Sequence, residues 1–84
     1  MSKLNIKLKD GTILKNINIA LHGRIGLIPV DSEKEVISVL KGIIPLKYQG
    51  CSFIGDYVQY SSENNFGSFK WEEIEKYEFL EEEL

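Results

Sequence analysis

A single cysteine, Cys51, rules out an intrachain disulfide in this 84-residue chain. Set between Gly50 and Ser52, it reads as a small, half-buried strand residue rather than a reactive thiol. The one histidine, His22, is as restrictive. A histidine-based metal centre would have to recruit carboxylates, and no metal-ligand spacing accompanies it. A Ser-His-Asp or Cys-His group would also need His22, and no nucleophile elbow stands near it. The expectation is a non-catalytic protein with no cofactor and no metal. No apolar run approaches the roughly 18 to 20 residues of a membrane helix, and the opening residues form a lysine-bearing strand pattern in place of a signal-peptide core. Cytoplasmic residence without a membrane partner is therefore expected.

The charged fraction of 27% and hydrophobic fraction of 43% are those of an ordinary folded globule. One small domain spanning 1–84 is expected, with stability of roughly 4 to 12 kcal/mol. The basic residues are nine lysines and a single arginine, beside eleven isoleucines and five asparagines. That balance is typical of A+T-rich coding sequence and points to a low-GC bacterium or its phages. Residues 1–50 carry eight basic and four acidic groups, net +4, and residues 51–84 carry two and nine, net −7, which together give the chain's −3. The two halves should attract each other, within one molecule or between subunits.

The strongest local signal is Leu4 to Leu21, two alternating runs joined at Asp10-Gly11. Leu4, Ile6 and Leu8 point one way and Lys3, Asn5, Lys7 and Lys9 the other, and Asp-Gly fits a two-residue type I′ hairpin turn. That turn would pair Leu8 with Ile13, Ile6 with Lys15 and Leu4 with Ile17, which sends Lys15 into the core. A bulge near Leu14 to Asn16 resolves the conflict by turning Leu14 inward beside Ile6 and restoring Ile17, Ile19 and Leu21 beyond it.

Further on, His22-Gly23-Arg24-Ile25-Gly26 marks a turn before Leu27 to Val30, and Pro29, which has no N–H, makes that run an edge. Ser32-Glu33-Lys34-Glu35 has capping-box spacing, with Val36, Ile37, Val39 and Leu40 following at helical spacing and Gly42 free to end the helix. A helix over about 33–41 is favoured over a strand, although three of those four apolar residues are β-branched. Ile43 to Ser61 returns to a β pattern: Cys51 to Ile54 and Tyr57 to Tyr60 form a second hairpin about a Gly55-Asp56 type II′ turn. Ser61 to Asn65 is a polar loop. Phe69 and Trp71 then alternate as a strand, Glu72 to Glu75 form one tight turn carrying Ile74 inward, and Tyr77 and Phe79 resume the alternation. The last four residues, 81–84, read as a frayed acidic tail built on Glu81, Glu82 and Glu83.

Five or six short strands and one short helix define a mainly β fold, a strongly bent antiparallel sheet or small barrel. The strand, single turn, strand arrangement at the end resembles Src-homology-3-like barrels, and the opening Lys-Asp-Gly-Thr hairpin resembles the first hairpin of Sm-like barrels. Each resemblance covers about 20 residues and carries no functional motif.

Two kinds of binding site are legible. All nine aromatics lie between Tyr48 and Phe79. Most must fill the core, but Trp71, Tyr57, Tyr60 and Phe66 have the alternation or loop position that leaves a face exposed, and they lie in the acidic half. Exposed aromatics beside acids suit a protein partner. The leading expectation is a small binding module, such as a phage or mobile-element accessory or counter-defence protein acting on a host protein. The alternative is a binder of nucleic acid or a nucleotide. Gly23-Arg24-Ile25-Gly26 has the shape of a loop whose backbone approaches phosphate, His22 adjoins it, and Lys7 and Lys9 offer a basic face. A net charge of −3 argues against strong duplex binding but not against a small phosphate ligand. Association into homo-oligomers through strand edges, the Pro29 edge among them, is also expected.

Overall fold

The first hairpin forms as its alternation demands, in a computed structural model that describes residues 2–80; the acidic tail at 81–84 lies outside the described residues. Strand β1 (Lys3–Leu8) pairs antiparallel with β2 (Ile13–His22). The expected bulge is present: Leu4 faces Ile17 and Ile6 faces Leu14, so Lys15 and Asn16 together oppose Asn5. Asn16 takes φ 56 there, a left-handed conformation that asparagine tolerates better than most residues. Its N–H is not lost, because the Asn5 Oδ1 accepts it at 2.8 Å.

The turn itself differs from expectation. Gly11 N–H donates to the Leu8 carbonyl at 3.0 Å and Leu8 N–H to the Thr12 carbonyl at 2.8 Å. The loop therefore has three residues, Lys9 to Gly11, with Gly11 at φ +93 as the left-handed residue that closes a type I turn. The Asp10 side chain decides against type I′: its Oδ1 accepts the Thr12 N–H at 2.9 Å, a local bond that keeps Asp10 out of the positive-φ region. Hydrogen bonding by Thr12, through its side chain and then its backbone, holds the Asp10 carboxyl below the usual carboxylate range.

Strand β3 (Leu27–Pro29) pairs with the second half of β2, from Ala20 opposite Pro29 to His22 opposite Leu27, and is an edge, as Pro29 requires. Helix α1 (Glu33–Leu40) is capped by Ser32, whose Oγ accepts the Glu35 N–H at 3.2 Å and donates to Glu35 Oε1 at 2.9 Å. Gly42 ends it at φ +80 with its N–H on the Val39 carbonyl. The capping geometry outweighs the β-branched side chains, and Val36, Val39 and Leu40 join Leu4, Ile6, Ile17, Ile19, Val58 and Phe69 in one buried cluster. The helix thus closes over the concave side of the sheet.

The β pattern read from Ile43 to Ile54 is not realised as a strand. Pro45 starts a 3₁₀ turn, Leu46–Tyr48, with the Tyr48 N–H on the Pro45 carbonyl. Beyond it only single bridges form, His22 with Ser52 and Ile54 with Tyr57. Two anchors hold this path: the buried Tyr48, whose hydroxyl accepts the Asp31 N–H at 3.0 Å, and Gly50 at φ +92. The Gly55-Asp56 turn is present, with Gly55 at φ +61 and the Tyr57 N–H on the Ile54 carbonyl, but the hairpin expected around it shrinks to one bridge.

Strands β4 (Tyr57–Ser61) and β5 (Phe66–Lys70) make the real second hairpin around the polar loop. A 3₁₀ turn, Trp71–Glu73, leads into β6 (Ile74–Phe79). Trp71 lies in that turn and not in the strand expected to carry it. Strand order is β5-β4-β2-β1-β6, with β3 on the side. Laid flat, the outermost strands of such a path would stand roughly 19 Å apart, yet a three-residue turn joins them. The sheet is therefore strongly curved, and it stops short of a closed barrel because β5 and β6 form no ladder with each other. No helix among the described residues is long and apolar enough to cross a membrane.

Candidate functional site

Pairing parity decides which aromatics reach solvent. In the β4–β5 ladder Val58 faces Phe69 and Tyr60 faces Gly67, and both pairs point inward; Tyr57 with Lys70, Gln59 with Ser68 and Ser61 with Phe66 point outward. Tyr57 is 39% and Phe66 78% exposed. They occupy two corners of one outer face whose middle is Gln59 and Ser68. The Lys70 ammonium sits 5.7 Å from the centre of the Tyr57 ring, so this face is aromatic and mildly basic rather than acidic.

Tyr60 and Trp71 are placed differently. The Tyr60 ring lies over Gly67, where a Cβ would clash with its hydroxyl and ring carbons, and packs on Phe69 with centroids 6.0 Å apart. Trp71 stacks against Phe53 at 5.0 Å and covers the Gly42 Cα, where an added Cβ would come within 3.0 Å of the indole. Both are half-buried and serve packing: Trp71 ties the end of α1 to the turn between β5 and β6.

The acids sit elsewhere. Glu72 and Glu73 are in the 3₁₀ turn and Glu75 and Glu78 on β6, at the far end of the strand order from β5. The attraction between the basic and acidic halves is realised within the molecule, where β6 pairs with β1 and Lys7 meets Glu75 at 3.2 Å. Lys9 is exposed, its backbone N–H on the Glu73 carbonyl.

The Gly23–Gly26 segment is the tip of the β2–β3 hairpin. The Gly23 N–H donates to the Gly26 carbonyl at 2.8 Å, and a Cβ at Gly23 would strike the Ile28 side chain at 2.6 Å. Gly26 takes φ +146, as the turn demands, and Gly23 makes room for Ile28. Arg24 and Ile25 project from the tip, and Ile25 is fully exposed. His22 is exposed one step back, with its backbone bridged to Ser52. Ten residues of β2, roughly 30 Å of strand, separate Arg24 from Lys7 and Lys9. One small ligand cannot touch both ends.

A shallow groove of about 300 Å³ follows β1 on its outer side, lined by Asn5, Lys7, Ile13, Lys76, Tyr77 and Glu78. Sequence reading passed over Ile13, 56% exposed, and Tyr77, 40% exposed. The signal for Ile13 was available: the bulge that turns Leu14 inward turns Ile13 outward. Cys51 is half-buried beside Gly23, Arg24 and Gly50. Among the described residues no group of three or more His, Cys, Asp or Glu side chains is arranged to hold a metal ion. Comparison with known proteins adds no assignment: no family model, no curated protein and no solved structure matches the chain.

Proposed function

We propose that the protein is a non-catalytic binding module that recognises a protein partner through the outer face of β4 and β5. The observation that carries the reading is Phe66: a large apolar ring, 78% exposed, set on a regular strand with Tyr57 on the same face. Single exposed apolar residues are common. Two aromatic rings fixed on one otherwise polar face are the kind of anchors that supply most of the affinity of a protein contact. The lysine-, isoleucine- and asparagine-rich composition supports an origin in a low-GC bacterium or its phages, with a cytoplasmic host protein as the partner.

The test is affinity capture from lysate of such a bacterium with the wild type, Phe66→Ala, Tyr57→Ala and Arg24→Ala, each first shown by thermal melting to be folded. A partner held by the wild type should be lost with Phe66→Ala, a weakening on the order of 2 kcal/mol or more, and retained with Arg24→Ala. Retention at wild-type strength by folded Phe66→Ala removes the proposal.

A second reading takes a nucleotide or RNA at the groove along β1. Its support is that Lys7 and Lys76 stand directly opposite each other in a groove that Tyr77 also lines, a like-charge pairing that Glu75 meets in part through Lys7 and that a bound anion would meet further. Arg24 has no part in it. Binding weakened by Lys76→Ala in a salt-dependent way, and untouched by Phe66→Ala, would favour this reading over the first.

A further inference from the structure

The sheet leaves three edges without a partner among the described residues, and they are not alike. The β3 edge is three residues long and carries Pro29, which has no N–H to offer. The β6 edge is studded with Glu75, Lys76 and Glu78, charges of the kind that discourage strand addition. The β5 edge, Phe66-Gly67-Ser68-Phe69-Lys70, has neither proline nor bulge and only a terminal lysine.

Its hydrogen-bonding parity is fixed at both ends. The Ser62 N–H bonds the Asn65 carbonyl and the Trp71 N–H the Asp56 carbonyl, so in steps of two the main-chain groups of Gly67 and Phe69 face β4. Those of Phe66, Ser68 and Lys70 point away from β4, and no described group takes them up.

We infer that β5 is a self-association edge, on which a second copy of this chain adds its own β5 antiparallel about a twofold axis through Ser68. In that register Ser68 faces Ser68 of the second copy and Phe66 faces Lys70 of the second copy, so every outward N–H and C=O of the three residues finds a partner. The Lys70 ammonium, already over Tyr57, gains the second copy's Phe66 as a neighbouring ring, and no like charges stand opposite each other. Other registers fail on the same criteria. An axis through Gly67 or Phe69 leaves only two of the three outward residues paired within the strands and sets the third, Lys70 or Phe66, against the polar loop or the 3₁₀ turn of the second copy. One through Lys70 opposes two lysines, and one through Phe66 drives Ser68 and Lys70 against the polar loop at 62–65. The chosen register also joins the two β4–β5 outer faces into one continuous surface. A ladder of five residues is at the small end of specific interfaces, so the dimer is weak and concentration-dependent.

Sedimentation equilibrium of the full chain, with no partner added, tests this independently of the partner-binding reading. The expected result is a mass rising from 9.6 kDa towards twice that value at high micromolar concentration. S68P removes an N–H that the chain's own ladder does not use, and S68K places two like charges at the axis; both should stay monomeric. Should S68P fail to fold, S68K alone decides, because position 68 is exposed. An equimolar mixture of S68K and S68E should recover the dimer, since the two positions face each other. A wild type that remains at 9.6 kDa, an S68K variant that dimerises as the wild type does, or a mixture that stays monomeric would overturn the inference.

Discussion

At Gly11 a Cβ would meet nothing within 4 Å, yet φ is +93. Any cost of a side chain there is carried by the backbone alone, without a clash to relieve. Gly11→Val should therefore destabilise by about 1 to 3 kcal/mol, seen as a lower urea midpoint at unchanged slope. An unchanged midpoint would mean that the opening turn is wrongly placed. Asn16 solves the same conformational problem without glycine, through a side chain that tolerates φ 56 and a cross-strand acceptor, Asn5, for its N–H. The two residues show why turn type was only half legible. Asp-Gly announces that a positive φ is needed, but whether one residue or two adopt it depends on whether Asp10 bonds to Thr12, which the dipeptide itself does not announce.

Elements with a strong local signal appear where the residues place them, the bulged hairpin of β1 and β2 and the Ser32–Glu35 cap of α1, and the strand, tight turn, strand run of β5 and β6 appears with its turn shifted to Trp71–Glu73. The segment 43–54 went astray because its β-branched and aromatic side chains speak for a strand, while its conformation is set by contacts distant in sequence, Tyr48 with Asp31 and Phe53 with Trp71. The candidate site divides likewise. Phe66 was legible from its place beside a polar loop, and Tyr57 from alternation. Tyr60 and Trp71 were not, because what they cover is a glycine, Gly67 or Gly42, and the absence of a side chain leaves no pattern to read. The Gly42–Trp71 contact gives a prediction for the helix as a unit. Gly42→Ala meets both φ +80 and an indole 3.0 Å from the new Cβ, and should cost about 2 kcal/mol. Because Trp71 is the only tryptophan, its fluorescence reports the contact directly. Emission should shift to the red as the ring leaves Phe53, and a variant with unchanged emission and melting temperature would show that the ring does not latch the helix.

For the molecule as a whole, a radius of gyration of 11.9 Å equals what a well-packed chain of this length shows, about 12 Å, so the open seam between β5 and β6 does not loosen the core. That core depends on a ladder between the two ends of the chain, with Leu4 opposite Phe79 and Ile6 opposite Tyr77. The first strand therefore lies inside the sheet and not at its rim. A fragment ending at Glu73 should show no cooperative thermal transition by circular dichroism, and a sharp melt in that fragment would refute this. During synthesis β1 is made before β6, and it must wait for residues 9–79 before its second neighbour is complete. In that interval it presents a bare, half-greasy rim to anything nearby. Lys3 and Lys7 on its outer face, with Lys9 just beyond its end, give that half-paired strand a like-charge repulsion against another copy of itself.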